Sequence, residues 1–212
     1  VKAAADFMMD HSERMMRQAI SDVPDGSYSA TTYLDGFVDS EDIKRRDLAL
    51  AVTLTVAGSD ITVDFTGTAD QVADRPINMP LEGTTDCAVW LTLRSILLDS
   101  EVHGHVPQNS GMTRPISIIA PKGSLVNPIF PAPTIARFCT GNQAADTVMK
   151  ALAQAVPDKV SAGVGNLHVV SFSGLRDEEH WVHMEIHEGC YGGRLGKDGM
   201  DAVDTLYANT RN

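Results

Sequence analysis

The spacing of hydrophobic residues at the start of the chain follows the repeat of an α-helix. Over residues 5–22, apolar side chains recur every three or four positions and leave the charged residues on the opposite side. The segment Pro24-Asp25-Gly26 then stops the helix, because proline and glycine disfavour its continuation. The pattern predicts an amphipathic helix that packs on the core or on another subunit. Its apolar stripe is formed by Phe7, Met8, Met15, Met16, Ala19 and Ile20.

A two-residue alternation later in the chain predicts β-strands, most of them paired in hairpins. Residues 48–56 and 61–65 alternate on either side of a short polar turn. Residues 167–173 and 181–188 form a second pair, joined by a charged turn at residues 176–179. Residues 115–120 form one further short strand, which the turn Pro121-Lys122-Gly123 closes.

Two more segments have the composition and spacing of helices. Residues 84–98 leave little polar surface, so we expect a buried helix there. Residues 142–155 place apolar side chains on one side and end at Pro157. Because strands and helices do not alternate regularly, the pattern favours an α+β fold with antiparallel hairpins packed against about three helices. We expect residues 1–212 to form a single unit, part of a larger domain, with no internal boundary.

The charge balance excludes two classes of partner. The chain has 17 Lys and Arg against 28 Asp and Glu, a formal net charge of −11. A surface of this sign repels nucleic acid and anionic membranes, so we expect neither as a partner. The excess of carboxylates favours solubility.

The cysteines indicate a reducing compartment. Cys87, Cys139 and Cys190 are an odd number, lie far apart in sequence and form no CxxC pair, so we expect a cytoplasmic protein. Cys139 has no histidine nearby in the sequence, and the catalytic residues stay unidentified at this level.

One strand carries a set of side chains that suits a metal ion. His183, Glu185 and His187 occupy alternate positions, so they point to the same side of a strand. Two imidazoles and one carboxylate are a common ligand set for Zn or Fe. The alternative interpretation is a polar strand face in solvent or at a subunit contact.

Five short segments rich in glycine, asparagine and proline punctuate the chain in a fixed order. They are residues 64–68 (Asp-Phe-Thr-Gly-Thr), 76–78 (Pro-Ile-Asn), 109–116 (Asn-Ser-Gly-Met-Thr-Arg-Pro-Ile), 123–128 (Gly-Ser-Leu-Val-Asn-Pro) and 209–212 (Asn-Thr-Arg-Asn). Each combines residues that make tight turns with side-chain amides or hydroxyls. Taken together and in this order, they resemble the hydantoinase B/oxoprolinase family, and the resemblance runs over nearly the whole chain.

The resemblance implies a B-type subunit of an ATP-dependent enzyme that opens a hydantoin, 5-oxoproline or lactam ring. It implies that ATP and Mg are bound by an A-type partner chain or domain. A divalent metal, Zn or Mn, would be bound upstream of the part represented here. Members of the family are much longer than this chain. The chain begins at Val1 and ends at Asn212, directly after the last motif. We therefore expect an internal fragment of a family member, and we expect this fragment to be inactive alone.

Two other functions stay open at this point. The family also includes ATP-dependent ketone carboxylases, so the chain could belong to one of those. It could also be a non-catalytic module whose role is assembly with an A-type subunit, and the methionine-rich first helix favours such a role.

Amide and guanidinium side chains in the punctuating loops are candidates for substrate contacts. Asparagine both donates and accepts hydrogen bonds, so it can hold a cyclic amide, and arginine can neutralise a phosphorylated intermediate or a carboxylate product. The alternative is that each asparagine only caps a turn or a helix. The predicted substrate-binding residues are Asn78, Asn109, Arg114, Asn127, Glu185, Asn209 and Arg211.

Overall fold

The computed structural model describes residues 1–163, 168–187, 190–201 and 203. These residues contain five α-helices, two short helical turns (Leu81–Thr85 and Ser110–Thr113) and six strands. The helices are α1 (Lys2–Ser21), α2 (Ile43–Arg46), α3 (Asp86–Leu97), α4 (Ser100–His103) and α5 (Arg137–Leu152). The strands are β1 (Gly26–Asp35), β2 (Asp47–Ala57), β3 (Asp60–Asp64), β4 (Ile116–Ile119), β5 (His168–Arg176) and β6 (Glu179–His187). Helices and mostly antiparallel strands follow one another irregularly, which confirms the α+β class.

Four of the strands form one sheet in the order β1-β2-β3-β4. Strands β1, β2 and β3 are antiparallel neighbours, and the β2–β3 pair is the hairpin predicted from residues 48–65. Strand β4 lies parallel to β3, so a long connection rather than a turn joins them. Strand β1 was not predicted from the sequence, because Ser, Thr and Tyr outnumber its two buried apolar residues, Ala30 and Leu34.

One face of this sheet holds the core. Alternate residues of β2 are buried, while those between them are half-buried or exposed, as a one-sided sheet requires. Helix α5 covers the buried face against β1 and β2, and helix α3 packs on α5. The inward residues of β2 are Leu48, Leu50, Val52, Leu54 and Val56.

Helix α5 begins five residues before the predicted start at Asn142. The prediction was wrong at this end because Gly141 resembles a helix boundary in the sequence. In the fold, Gly141 is buried within the helix, and the Thr140 hydroxyl donates a 2.5 Å hydrogen bond to the carbonyl of Ile77. This tertiary contact holds the first turn, which local propensity alone does not favour.

The second hairpin, β5–β6, is exposed along its length. Its turn consists of Asp177 and Glu178, with φ of 50° and 69°, inside the charged turn that the sequence predicted. All nine residues of β6 are exposed, including Trp181, Val182 and Met184. Within the described ranges, no helix is long and apolar enough to cross a membrane.

Candidate functional site

The loop that precedes β4 fastens helix α1 to the body of the fold. Asn109 accepts a hydrogen bond from the Gly111 backbone N–H at 2.9 Å, and its amide nitrogen donates to Ser12 Oγ at 2.9 Å. Ser12 is fully buried and donates in turn to the carbonyl of Pro107 at 3.0 Å. Asn109 therefore shapes the loop and also holds the helix against it.

Gly111 permits the close contact between this loop and α1. A Cβ atom at residue 111 would collide with the backbone carbonyl oxygen of Met9. Because backbone atoms on both sides are fixed by their own hydrogen bonds, only glycine fits at this point of contact.

An ion-pair network closes the outer side of the same contact. Arg114 Nη1 lies 2.9 Å from Asp10 Oδ1 and 2.8 Å from Glu13 Oε2. Glu13 also pairs with Arg17 at 2.9 Å, and Arg17 reaches Asp60 at 2.9 Å. The hydrogen bonds from Arg114 and Arg17 lower the pKa of Glu13, and those to Glu13 and Asp10 raise the pKa of Arg114.

Behind this loop lies a cavity of about 270 Å³. Helix α1 contributes Met16, helix α3 contributes Trp90 and Arg94, and β4 begins at its wall with Ile116. The residues that line it are Met16, Trp90, Arg94, Gln108, Asn109, Ser110, Met112, Thr113 and Ile116. Most of the third punctuating segment therefore forms a wall of this cavity, which we call the Trp90 cavity.

Two residues that line the Trp90 cavity carry buried hydrogen-bond donors without acceptors. Trp90 Nε1 and Arg94 Nε are both shielded from solvent, and neither finds a partner among the residues that the structure describes. A buried donor without an acceptor is costly, by about 1–3 kcal/mol. A cavity with mostly apolar walls and a few polar groups, such as Asn109 and Ser110, is typical of a small-molecule site.

Asn78 and Asn127, predicted to bind substrate, do not line the Trp90 cavity. Asn78 is fully buried; it accepts a 2.9 Å hydrogen bond from the Val72 N–H and donates to the carbonyls of Val72 and Pro133 at 2.7 and 2.8 Å. Asn127 donates to the Ala120 carbonyl at 2.8 Å. Both amides are bonded to backbone, as turn-stabilising side chains are. Their predicted contact with substrate stays a prediction.

Glu185 lies on the exposed hairpin, away from the Asn109 loop. Alternation places His183 and His187 on either side of it, with Nε2 atoms 3.1 and 3.5 Å from its two carboxylate oxygens. Across the described ranges, no group of three His, Cys, Asp or Glu side chains is arranged to hold a metal ion. The three side chains lie on the exposed strand β6, and both interpretations, a metal site at His183, Glu185 and His187 and a polar strand face, stay predictions. Asn209 and Arg211 lie outside the described residues.

A larger cleft of about 810 Å³ lies between the start of β2 and the loop of residues 67–74. The guanidinium groups of Arg45 and Arg75 lie 4.4 and 4.7 Å from the ring centre of Phe37 near this cleft. Arg45 also pairs with Asp74 at 3.5 Å. Of the charged groups that line the cleft, Arg45 and Asp74 are therefore paired with each other.

The half-buried thiols of Cys87 and Cys139 do not favour nucleophilic chemistry. Burial raises the pKa of Cys87, with the Asp86 carboxylate adding to the effect, and burial also raises the pKa of Cys139. A thiol with a raised pKa is mostly protonated near neutral pH and reacts slowly.

Trp90 and Arg94 were not predicted as site residues from the sequence. Trp90 lies in the segment predicted to be a buried helix, and the sequence pattern predicts no site role for Arg94. The available signal was an arginine inside an otherwise apolar stretch, four residues after a tryptophan. That spacing puts both side chains on one side of a helix.

Comparison with known proteins decides the family. Residues 1–212 match, over their full length, the family described as Hydantoinase B/oxoprolinase. The chain belongs to this family. The resemblance drawn from the punctuating segments is thereby confirmed, and three of those segments, at residues 76–78, 109–116 and 123–128, contain the structural asparagines described above.

Relatives within the hydantoinase B/oxoprolinase family are similar along the entire chain. A Pseudomonas sp. (strain NS671) protein, named as the B component of a D-/L-hydantoinase, is 66% identical over all 212 residues, which correspond to 36% of that protein. The beta chain of the caprolactamase of Pseudomonas jessenii is 29% identical over 97% of the chain and 35% of its own length. A 5-oxoprolinase of Pestalotiopsis fici is 28% identical over the full chain and 15% of its own length.

A solved structure shares the fold of this family member. The crystal structure of the ATP-dependent caprolactamase from Pseudomonas jessenii superposes with a TM-score of 0.74 and 26% identity. The superposition covers 97% of this chain and 35% of that one. The chain thus spans about a third of the length of the first of these relatives and of the caprolactamase.

Proposed function

We propose that residues 1–212 are part of the B-type subunit of an ATP-dependent hydrolase that opens cyclic amides. The observation that carries the proposal is the 66% identity, without a break in coverage, to the B component of the D-/L-hydantoinase. The names of the two more distant relatives, a caprolactamase and a 5-oxoprolinase, support the same reaction class, because both denote enzymes of ring amides.

The chemistry explains a requirement for ATP. Resonance makes an amide planar and its carbonyl carbon a poor electrophile. Transfer of a phosphoryl group from ATP to the amide oxygen makes that carbon reactive. Water then attacks, the carbon–nitrogen bond breaks, and ADP, phosphate and a linear carboxylic acid with a free nitrogen group are released.

The described residues fit neither a metal ion nor a nucleotide phosphate. No His, Cys, Asp or Glu cluster within them is arranged for a metal. The glycine-rich residues 191–199 lie in bridged turns rather than between a strand and a helix, which is the setting of a phosphate-binding loop. We propose that an A-type partner binds ATP and Mg and that another region of the B-type subunit binds the Zn or Mn, so no residue of this chain is given a role in the phosphoryl transfer.

Under this proposal, residues of this chain bind and orient the cyclic-amide substrate. The Trp90 cavity supplies mostly apolar walls, and the Asn109 loop fixes one of these walls against α1. A site held by buried hydrogen bonds is preorganised, which is what substrate orientation requires.

The test uses the complete protein that contains residues 1–212, purified with an A-type subunit. We expect ADP and a ring-opened acid, in equal amounts, from at least one of hydantoin, 5-oxoproline and caprolactam. Parallel reactions contain bicarbonate with acetone or acetophenone. ATP-dependent consumption of a ketone, with no ring opening, would assign the protein to the carboxylases instead.

A second candidate function is assembly with the A-type subunit, and an exposed surface on α1 favours it. Phe7 and Met8 are 66% and 49% exposed, whereas Met16 and Ile20 on the same helix are buried in the core. Removal of the whole helix would therefore unfold the protein. The double variant Phe7→Ser/Met8→Ser instead changes only exposed residues of α1 and leaves its buried side chains in place. Leu195→Ser, at an exposed leucine in a loop, is the control.

Co-purification of these variants with the A-type subunit separates the two roles. Loss of the complex in the Phe7 and Met8 variant alone supports assembly through α1. An unchanged complex with unchanged turnover removes that role and leaves the hydrolase proposal in place.

A further inference from the structure

The β5–β6 hairpin separates its side chains onto two unlike faces. Residues that are paired across an antiparallel hairpin lie on the same side, and successive residues of a strand alternate between the sides. One side carries five apolar side chains and no carboxylate, ammonium or guanidinium group. We call this side the Val182 face, and it consists of Val169, Ser171, Ser173, Leu175, His180, Val182, Met184 and Ile186.

The opposite side of the hairpin suits contact with water. Of its three apolar residues, Trp181 covers Gly174, Phe172 stacks on His183 with 6.5 Å between the ring centres, and Val170 is 37% exposed. The hairpin therefore has the alternation of a sheet with one face in solvent and one face in a core. The polar side chains of this side are Arg176, Glu179, His183, Glu185 and His187.

The apolar residues of the Val182 face lie in the open in the described part of the chain. Val182, Leu175 and Met184 are 73%, 66% and 62% exposed, and Ile186 and Val169 are 47% and 40% exposed. In the main sheet, the same alternation along β2 buries the inward residues beneath α5. The Val182 face thus has the pattern of a core face and lacks the second layer that a core requires.

A layer that covers the Val182 face has to be in place when the hairpin folds. A two-stranded hairpin by itself is at best marginally stable in water. A subunit that exposed this face until a separate chain arrived would also carry a contiguous apolar patch, which promotes aggregation. Both costs favour a cover from the same polypeptide over one from an A-type subunit or from a second copy.

The lengths of the relatives show that such a polypeptide has enough chain to supply the cover. The 212 residues correspond to 36% of the hydantoinase relative and to 35% of the caprolactamase beta chain. Nearly two thirds of each relative therefore lies outside the matched region. We propose that, in the complete protein, a part of the same polypeptide outside residues 1–212 packs on the Val182 face and closes a second core there. This cover is independent of the reaction that the assembled enzyme catalyses.

Cysteine labelling of the complete protein, without an A-type subunit, tests the cover. Val182→Cys and Met184→Cys place a thiol on the Val182 face, and His183→Cys, between them on β6, is the matched control on the opposite side. Iodoacetamide labelling is followed on the hairpin peptide by mass spectrometry, so other cysteines do not interfere. We expect the thiols at positions 182 and 184 to react at least about tenfold more slowly in the native protein than in urea, because a covered thiol reacts only when its cover opens. The thiol at position 183 should react at similar rates in both.

Dilution and the A-type subunit identify the source of the cover. Protection at positions 182 and 184 that stays constant over about a hundredfold range of protein concentration supports cover by the same polypeptide, since contact between copies weakens on dilution. Protection that is lost on dilution would assign the face to a second copy. Protection that appears only when the A-type subunit is added would assign it to that partner. Either result, or labelling at the urea rate under all conditions, overturns the proposal.

The unmodified protein supplies a second readout if the cysteine variants do not fold. Hydrogen peroxide oxidises accessible methionines to the sulfoxide, and Met184 is a natural probe on the Val182 face. We expect Met184 of the native complete protein to be oxidised at least about tenfold more slowly than in urea. Equal rates in the two conditions would show that the face is open and would overturn the proposal.

Discussion

Arg114 Nη1 lies 2.8 Å from Glu13 Oε2 and thereby joins the Asn109 loop to the first helix. The same guanidinium atom contacts Asp10, one turn earlier on α1. From the sequence, Arg114 was predicted to bind substrate. In the fold its charge is already paired by two carboxylates, so its first role is to fasten α1 at the edge of the Trp90 cavity.

The first prediction concerns this ion pair. Arg114→Gln should lower the melting temperature, and it should lower it less in a Glu13→Gln background, because the partner is already gone. Thermal unfolding of the single and double variants at low salt is the measurement. Arg14→Gln, on the exposed side of α1, is the control and should leave the melting temperature unchanged. Additive effects of the two changes would show that the pair contributes no coupling.

The second prediction is a pH dependence that Glu13 causes. Hydrogen bonds from Arg114 and Arg17 lower the pKa of Glu13 in the folded state below its ordinary value of 4.5. Its stabilising contribution is therefore complete above that value and is lost as the pH falls through the lower, folded-state pKa. The stability difference between wild type and Glu13→Gln, measured by urea unfolding, should be constant near neutral pH and shrink in acid. A difference that grows on acidification would contradict this.

The third prediction separates a structural role of Asn78 from a role in substrate binding. Asn78→Ala leaves a buried backbone N–H and two carbonyls without partners. We expect a loss of about 3 kcal/mol in the free energy of unfolding. Asn127→Ala removes one hydrogen bond at a half-buried position, with a loss of about 1 kcal/mol. Denaturant unfolding measures both. Normal stability of Asn78→Ala with abolished turnover in the assembled enzyme would favour substrate contact instead.

The fourth prediction tests the close approach of the Asn109 loop to α1. Gly111→Ala places a methyl group against the Met9 carbonyl and must displace one of the two backbones. The expected loss is about 1–3 kcal/mol, as for other overpacked sites. The neighbouring change Ser110→Ala, at an exposed side chain, should cost little.

The fifth prediction concerns the order in which the thiols react. Burial raises the pKa of Cys87 and Cys139, whereas Cys190 is exposed. Limited iodoacetamide treatment at neutral pH, followed by peptide mass spectrometry, should therefore label Cys190 first. Fast labelling of Cys139 would indicate that the first turn of α5 opens in solution.

Elements with strong local signals were predictable from the sequence. The β2–β3 hairpin, helix α3 and the turn at Asp177 and Glu178 follow from residue alternation, apolar periodicity and polar turn residues. The family could also be inferred, because it depends on the order of turn-forming segments, which the sequence displays directly.

Contacts between distant parts of the chain were not predictable in the same way. Strand β1 is a strand because it pairs with β2, and the first turn of α5 forms because Thr140 bonds to Ile77. Neither partner is local, so neither leaves a periodic signal of its own.

The sequence by itself determined the family, the α+β class and the set of amide and guanidinium side chains to be tested. Only the tertiary structure decided which of those groups already have a hydrogen-bond or ion-pair partner within the fold. Asn78, Asn109 and Arg114 bond to backbone or to α1, whereas Trp90 and Arg94 keep donors that lack acceptors in the described fold. The physical reason is that a polar side chain's availability depends on what lies within about 3 Å of it, and that is set by packing between segments far apart in sequence.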